Sequence, residues 1–333
     1  MRWAPRLEGL DIVALALAVL LAAAATAEGV KQGNTLRDAD EVVFQTTLHD
    51  MQAGRGYYPS MRDALIVKEH TPPTQIRAIR PPTLFLLLRP LPERSWRLVV
   101  GLLYLAVLLG AWRLGRPFGR YGGTLAVIGG GVWLLAFADF LYLHAELWGL
   151  PFLVWGAVTV RWDDDIPPAA LLALAVCFRE LFGIAFVVAA VVRHFRRPWI
   201  VATIALAVLA AVHAYFASEV LGTRGREAAL GNEKLTLRFA LRVISPGTGT
   251  ANFAFGVAVL VLAVAGLVVA ARSGDRAAWV VGPFVLFMVP AAELSTRIYW
   301  SAAWAVPATA FAPAAVDAIA RRYRSTSRSP TSS

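Results

Sequence analysis

Apolar runs approaching the roughly 20 residues needed to cross a ~30 Å hydrocarbon core recur from Ile12 to the C-terminus, and clusters of arginine separate them. Arg2 and Arg6 precede the first run. Arg113, Arg116 and Arg120 follow the second, Arg193, Arg196 and Arg197 come later, then Arg272 and Arg276, and finally Arg321, Arg322 and Arg324. A chain written this way is expected to be all-α, a polytopic transmembrane helical bundle. Composition agrees, with 58% of the 333 residues hydrophobic and 16% charged, values foreign to a soluble domain of this size. The net charge of +10 raises nucleic acid as a partner. The basic residues, however, fall between apolar runs and not on one amphipathic face, so the charge is read as topology and no nucleic-acid partner is expected.

Under the positive-inside rule every one of these clusters belongs in the cytoplasm. Spans threaded between them run out over 11–28, in over 96–113, out over 121–141 and in over 146–161. They then run out over 199–217, in over 251–271, out over 277–292 and in over 299–319. Residues 167–192 must begin and end in the cytoplasm yet are too short for two crossings, so they are read as two half-helices meeting at Arg179-Glu180. The total is about ten membrane segments. The domain reading is a single transmembrane unit over 1–320 with a basic, Ser-rich tail over 321–333. The protein is thus expected in the plasma membrane with both termini cytoplasmic. Arg2, Arg6 and Ala25-Thr26-Ala27 also suit a cleaved signal peptide, although Glu8 and Asp11 spoil its positive leader. Cys177, the sole cysteine, excludes an internal disulfide.

Two stretches are too polar to cross a membrane, 29–82 and 218–250, and the threading puts both outside. Asp38 stands three residues before Glu41, the capping-box spacing, and Phe44, Leu48 and Met51 then fall at i, i+4 and i+7. Gly54 can end this helix. The pattern is that of an amphipathic helix lying along the membrane surface. Pro72-Pro73 and Pro81-Pro82 bracket a segment that cannot be continuous helix.

Asp40-Glu41-Val42-Val43-Phe44, the following Leu48, Gly54-Arg55-Gly56-Tyr57-Tyr58 and then Arg80-Pro81-Pro82-Thr83-Leu84 together resemble the first outer loop of membrane glycosyltransferases of the GT-C fold. The branch most resembled includes protein O-mannosyltransferases and lipid A aminoarabinose transferases, whose loop carries an acid pair, an aromatic, a Gly-x-x-Tyr-like stretch and a basic residue before Pro-Pro. The chain departs from that pattern at Phe44, usually Tyr, and at Arg80, more often Lys, and no soluble domain follows the last span. The resemblance covers about residues 36–90. It implies a transferase that takes a sugar, mannose or another hexose or pentose, from a polyprenyl-phosphate carrier. The acceptor would be a hydroxyl of a glycolipid, polysaccharide or protein at the outer membrane face.

The residue types suit that chemistry. An acceptor hydroxyl is a poor nucleophile, and a carboxylate within hydrogen-bond reach can take its proton as the bond forms, a role given to Asp40 with Glu41 beside it. The phosphate leaving group needs its growing charge stabilised, which Arg80, Arg179 and Arg297 can supply as fixed guanidinium groups. Base and phosphate on opposite sides of the sugar imply inversion. Tyr57, Tyr58 and Glu146 complete the candidate substrate-binding set. No cofactor is implied, and with neither HExxH nor paired Cys/His spacing no metal site is expected, His144-Ala145-Glu146 being a weak signal.

Plainer readings attach to the same residues. Asp40 and Glu41 suit the first turn of any helix. Arg179 and Glu180, each costing about 2.5–3.5 kcal/mol in an apolar span, can neutralise one another or pair with Asp139 or Glu146. Glu293 and Arg297 have the i, i+4 spacing of a helix ion pair. Trp96, Trp148 and Trp300 read as interfacial anchors, and Gly129-Gly130-Gly131 as a close helix contact. The alternative functions are a transporter or flippase, or a non-catalytic protein that binds a polyprenyl carrier.

Overall fold

The computed structural model of the chain describes residues 9–32, 39–69, 79–136, 138, 144–221, 250–295 and 300–326, and among these every regular element is helical. In chain order the helices are α1 (Gly9–Gln32), α2 (Ala39–Gln52), α3 (Tyr57–Glu69), α4 (Thr83–Leu88), α5 (Glu93–Gly115), α6 (Gly122–Ala136) and α7 (Ala145–Thr159). Next come α8 (Ile166–Phe178), a single 3₁₀ turn (Glu180–Phe182), α9 (Gly183–Val192) and α10 (Arg197–Glu219). The last are α11 (Thr250–Arg272), α12 (Arg276–Ser295), α13 (Trp300–Thr309) and α14 (Ala312–Thr326).

Four segments among the described residues are long and apolar enough to cross a membrane: Gly9–Glu28, Ser95–Gly115, Arg197–Glu219 and Ala303–Tyr323. Gly122–Ala136, Ile166–Phe178, Glu180–Val192, Gly256–Arg272 and Arg276–Met288 are apolar but shorter. The outer surface matches this reading. On α10, Ile200, Val201, Ile204, Val208 and Leu209 are all exposed, an apolar face too extensive for a water-bathed monomer. The chain is an α-helical membrane protein.

Packing follows the chain order. α1 lies against α5 and α6, α5 against α7, α7 against α8, and α8 against α10. α9 packs on α12, and α11 on α14. The expected contact at Gly129-Gly130-Gly131 is present, since these glycines face Thr309, Val306 and Leu21, from α13 and α1. One approach is closer still. A methyl group at Gly266 would lie 1.9 Å from the Phe311 carbonyl oxygen, where only backbone could yield. Gly266→Ala is therefore expected to destabilise the protein by about 2–3 kcal/mol, whereas Gly282→Ala, with nothing within 4 Å, should be nearly neutral. Thermal unfolding in detergent reads both.

The final span, threaded over 299–319, corresponds to the apolar segment Ala303–Tyr323, with a break at Ala310-Phe311 between α13 and α14. Pro313 explains the break, because it has no N–H to donate to the carbonyl one turn back, and Phe311 and Ala314 close tighter turns instead onto Ala308 and Phe311. Trp96 and Trp148 are buried inside the bundle, not exposed at an interface, and the Trp96 indole N–H donates to the Leu91 carbonyl. Trp300 lies outside the residues whose side chains are described.

Arginines and their acids converge at one end of the bundle. Asp11, which spoils a positive leader, is buried at the start of α1 and accepts from the Trp112 indole (3.2 Å) in the last turn of α5 and from Arg116 (2.9 Å) just beyond it. Arg161, after α7, donates to both oxygens of Asp275 (3.1 and 2.7 Å) in the α11–α12 turn and to the carbonyls of Arg113 and Leu114. Asp165, before α8, accepts from Arg193 after α9 and from Arg196 (3.1 Å) and Trp199 (3.3 Å) opening α10. These bonds gather the ends of α5, α7, α9 and α11 with the starts of α1, α8, α10 and α12. That is the alternation the charge clusters predict.

Burial pushes the Asp165 carboxyl up, but the hydrogen bonds from Arg193, Trp199 and Arg196 outweigh it and hold its pKa below the ordinary value. Its stabilising contribution is thus complete above the unfolded carboxylate pKa of about 3.9 and is lost only as pH falls through the lower folded value. Asp165→Asn is expected to cost about 2 kcal/mol at neutral pH. That is less than a fully broken buried pair, because Arg193 keeps the carbonyls of Trp162 and Asp163. Urea unfolding of the two proteins at pH 7 and pH 3 should show the difference shrinking at the lower pH.

Candidate functional site

The opposite end of the bundle is roofed by α2, α3 and α4. Phe44, Leu48 and Met51 are buried on one face of α2, as their spacing predicts, joined by Val43, and Met61, Ala64 and Leu65 form the buried face of α3. Gly54 ends α2 with φ +96°, a conformation few other residues adopt. Arg55 then bridges Asp50 (2.6 Å) and Asp63 (2.5 Å), tying α2 to α3. Both bridges are exposed, so they fix geometry more than they add stability. Helix α3 was not foreseen in the sequence. It turns the expected surface-lying helix into half of a packed pair.

Phe44 points into the bundle end, with its ring edge-on to Phe85 of α4 (5.7 Å) and to His144 before α7 (5.8 Å). Asp40 and Glu41 occupy the first turn of α2, as the capping pattern predicts. The side chains of Asp40 and Glu41 lie outside the described residues.

Beneath the roof, Arg80 sits half-buried in the bend before α4. The Tyr57 hydroxyl donates to the Arg80 carbonyl, and Tyr57 packs against Tyr58 and Phe85 (5.0 Å each). Burial pushes the Tyr57 phenol well above its ordinary pKa, Tyr58 adds to this and Arg80 opposes it, while burial alone raises Tyr58. Both tyrosines therefore stay protonated at neutral pH and act as donors, not bases. The Thr83 hydroxyl donates to the Cys177 carbonyl at 2.7 Å, joining the Arg80 segment to the end of α8.

Two residues farther on, the chain breaks where the sequence charges predict. Arg179 takes an extended conformation (φ −150°, ψ 119°) between α8 and the 3₁₀ turn. Its side chain is 2% exposed and Glu146, in the first turn of α7, is 4% exposed. Arg179 Nε donates to Glu146 at 2.7 Å and Nη1 to Glu180 at 2.5 Å. Arg80 and His144 also interact electrostatically with Glu146.

Tyr57, Tyr58, Arg80, Glu146 and Arg179, spread over 120 residues of sequence, thus meet in one cluster. Arg297 and Asp139 lie outside the described residues, as do the Glu293 side chain and most of the loop 218–250, so the Glu293–Arg297 pairing falls there too. Pairing with Glu146 and Glu180 is sufficient to hold Arg179 in an apolar helix hairpin, which is the plain reading of those charges. The arrangement also does chemistry. Arg179 is a guanidinium fixed by two carboxylates and Arg80 acts on the same Glu146, so the cluster gathers positive charge able to stabilise an anionic oxygen, while the Tyr57 hydroxyl is spent on the Arg80 carbonyl.

Sequence reasoning missed His213, on α10. Its Nδ1 lies 3.1 Å from the Tyr58 hydroxyl and its Nε2 3.2 Å from the Ile79 carbonyl, and Phe216 stacks on Tyr58 at 5.6 Å. A polar ring inside an apolar span was the available signal, the same one that singled out Arg179. Comparison with protein-family models, with curated protein sequences and with solved structures finds no match to the chain.

Proposed function

We propose that this protein is a membrane glycosyltransferase of GT-C type. It transfers a sugar from a polyprenyl-phosphate carrier to an acceptor hydroxyl, with inversion, at the outer face of the plasma membrane. The observation that carries this reading is the meeting of Tyr57, Tyr58, Arg80, Glu146 and Arg179 at the bundle end opposite the arginine clusters. Positive charge on cytoplasmic ends makes that end the outer one and both termini cytoplasmic. In this reading about ten segments lie in the membrane, the α8–α9 hairpin counting as two, and the hairpin breaks so that Arg179 can sit at the depth of a carrier headgroup.

The roles follow from the chemistry. Asp40, carried on the roof helix, takes the acceptor proton, and Glu41 stands beside it. Arg80 and Arg179, with Arg297, stabilise negative charge growing on the carrier phosphate, which leaves as an anion and needs no proton. Tyr57, Tyr58 and Glu146 bind sugar and headgroup. Envelope glycans and glycolipids from cells with and without the gene test the proposal. A sugar missing from one linkage supports it, and identical profiles speak against it.

A further inference from the structure

The backbone around Arg80 is gripped on both sides of a single residue. The His213 Nε2 lies 3.2 Å from the carbonyl before Arg80, that of Ile79, and the Tyr57 hydroxyl donates to the carbonyl of Arg80 itself. A carbonyl can only accept, so the His213 proton is on Nε2, and Nδ1 is left to accept from the Tyr58 hydroxyl. Tyr58 is the neighbour of Tyr57 on α3, so both grips return to one helical turn. His213 comes from α10, whose near end is anchored by buried Trp199 on Asp165 and whose middle presents exposed Ile204, Val208 and Val212. At its far end α10 meets the site through His213 and Phe216.

We propose that His213 is a positioning residue: from α10 it fixes the peptide preceding Arg80 and so holds the Arg80 guanidinium near the Glu146 carboxylate that Arg179 also binds, where a prenyl phosphate would be met. The phosphate half of this statement rests on the glycosyltransferase reading, whereas the grip on the Arg80 backbone does not. A side chain anchored by a rigid backbone loses less freedom when it binds an anion. Removing the grip should therefore weaken phosphate binding without removing any group that touches phosphate.

The experiment uses the full chain in lipid nanodiscs and compares wild type, His213→Ala and His213→Gln, the last keeping an amide donor for the Ile79 carbonyl. Amide hydrogen exchange over residues 79–88 and affinity for farnesyl phosphate, with farnesol as the control lacking phosphate, are measured on each. In His213→Ala, exchange over 79–88 should rise about tenfold and farnesyl phosphate should bind about tenfold more weakly, with His213→Gln restoring most of both. Unchanged exchange in His213→Ala overturns the proposal, and so does weaker binding with unchanged exchange, which would make His213 a direct contact. Raised exchange in a protein whose wild type does not distinguish farnesyl phosphate from farnesol leaves the grip standing and removes the carrier-phosphate reading.

Discussion

Arg179→Met should cost about 3–5 kcal/mol of stability, because it leaves the Glu146 carboxylate buried without the guanidinium that neutralises it. Glu146 is 4% exposed, so water has little access to replace the lost partner, and only Arg80 and His144 still act on it. Glu180, whose side chain is 55% exposed, can hydrate instead, and Glu180→Gln should change stability by less than about 1 kcal/mol. The double variant Arg179→Met/Glu146→Gln removes both charges together and should recover most of the loss, since a buried ion pair is often no better than a neutral pair of similar size. Chemical unfolding in one detergent of wild type, Arg179→Met, Glu146→Gln and the double variant gives the coupling energy directly. Equal losses in the single and double variants would mean that the pair does not act as a unit.

The bundle was legible in the sequence to the extent that one physical effect dictated it. Apolar length set the helices, and the arginines set which helix ends gather, so Asp11–Arg116, Arg161–Asp275 and Asp165–Arg193 fall together as the threading requires. The break at Arg179 was readable for the same reason, two charges in an apolar run. The last span was legible as an apolar length, whereas the turn at Ala310-Phe311 before Pro313 leaves hydropathy untouched and was not. The signal for α3 was present but overlooked, since Tyr57, Met61, Ala64 and Leu65 fall at i, i+4, i+7 and i+8, and packing against α2 goes with burial of that face.

The site divided along similar lines. Arg80, Arg179 and the tyrosine pair stand out in composition or by resemblance. The contacts that bring them together, Thr83 to the Cys177 carbonyl and His213 to Ile79, are tertiary hydrogen bonds between residues 94 and 134 apart. No local pattern announces a bond of that kind. The tryptophans show the converse, since an aromatic that suits an interface by type, such as Trp96, can equally be consumed by the core.

Asp40→Asn should reduce sugar transfer by about 10²–10⁴-fold, the range associated with loss of a general base. Asparagine keeps the size of aspartate and its ability to start a helix, so α2 and its packing through Phe44, Leu48 and Met51 should be retained. Stability and donor affinity should therefore stay near wild type, which separates a chemical role for Asp40 from a capping one. Glu41→Gln should fall by a smaller factor if Glu41 supports the base without replacing it. A variant that loses activity and stability together would favour the capping role.

The most direct test reconstitutes the purified full chain in proteoliposomes with polyprenyl-phosphate-linked radiolabelled mannose or arabinose and an extract of envelope acceptors. The account predicts that label leaves the carrier and appears in a glycosylated product with wild type, and stays on the carrier with Asp40→Asn. Movement of intact carrier or of free solute across the bilayer with no glycosylated product, or product formed equally by Asp40→Asn, would contradict it.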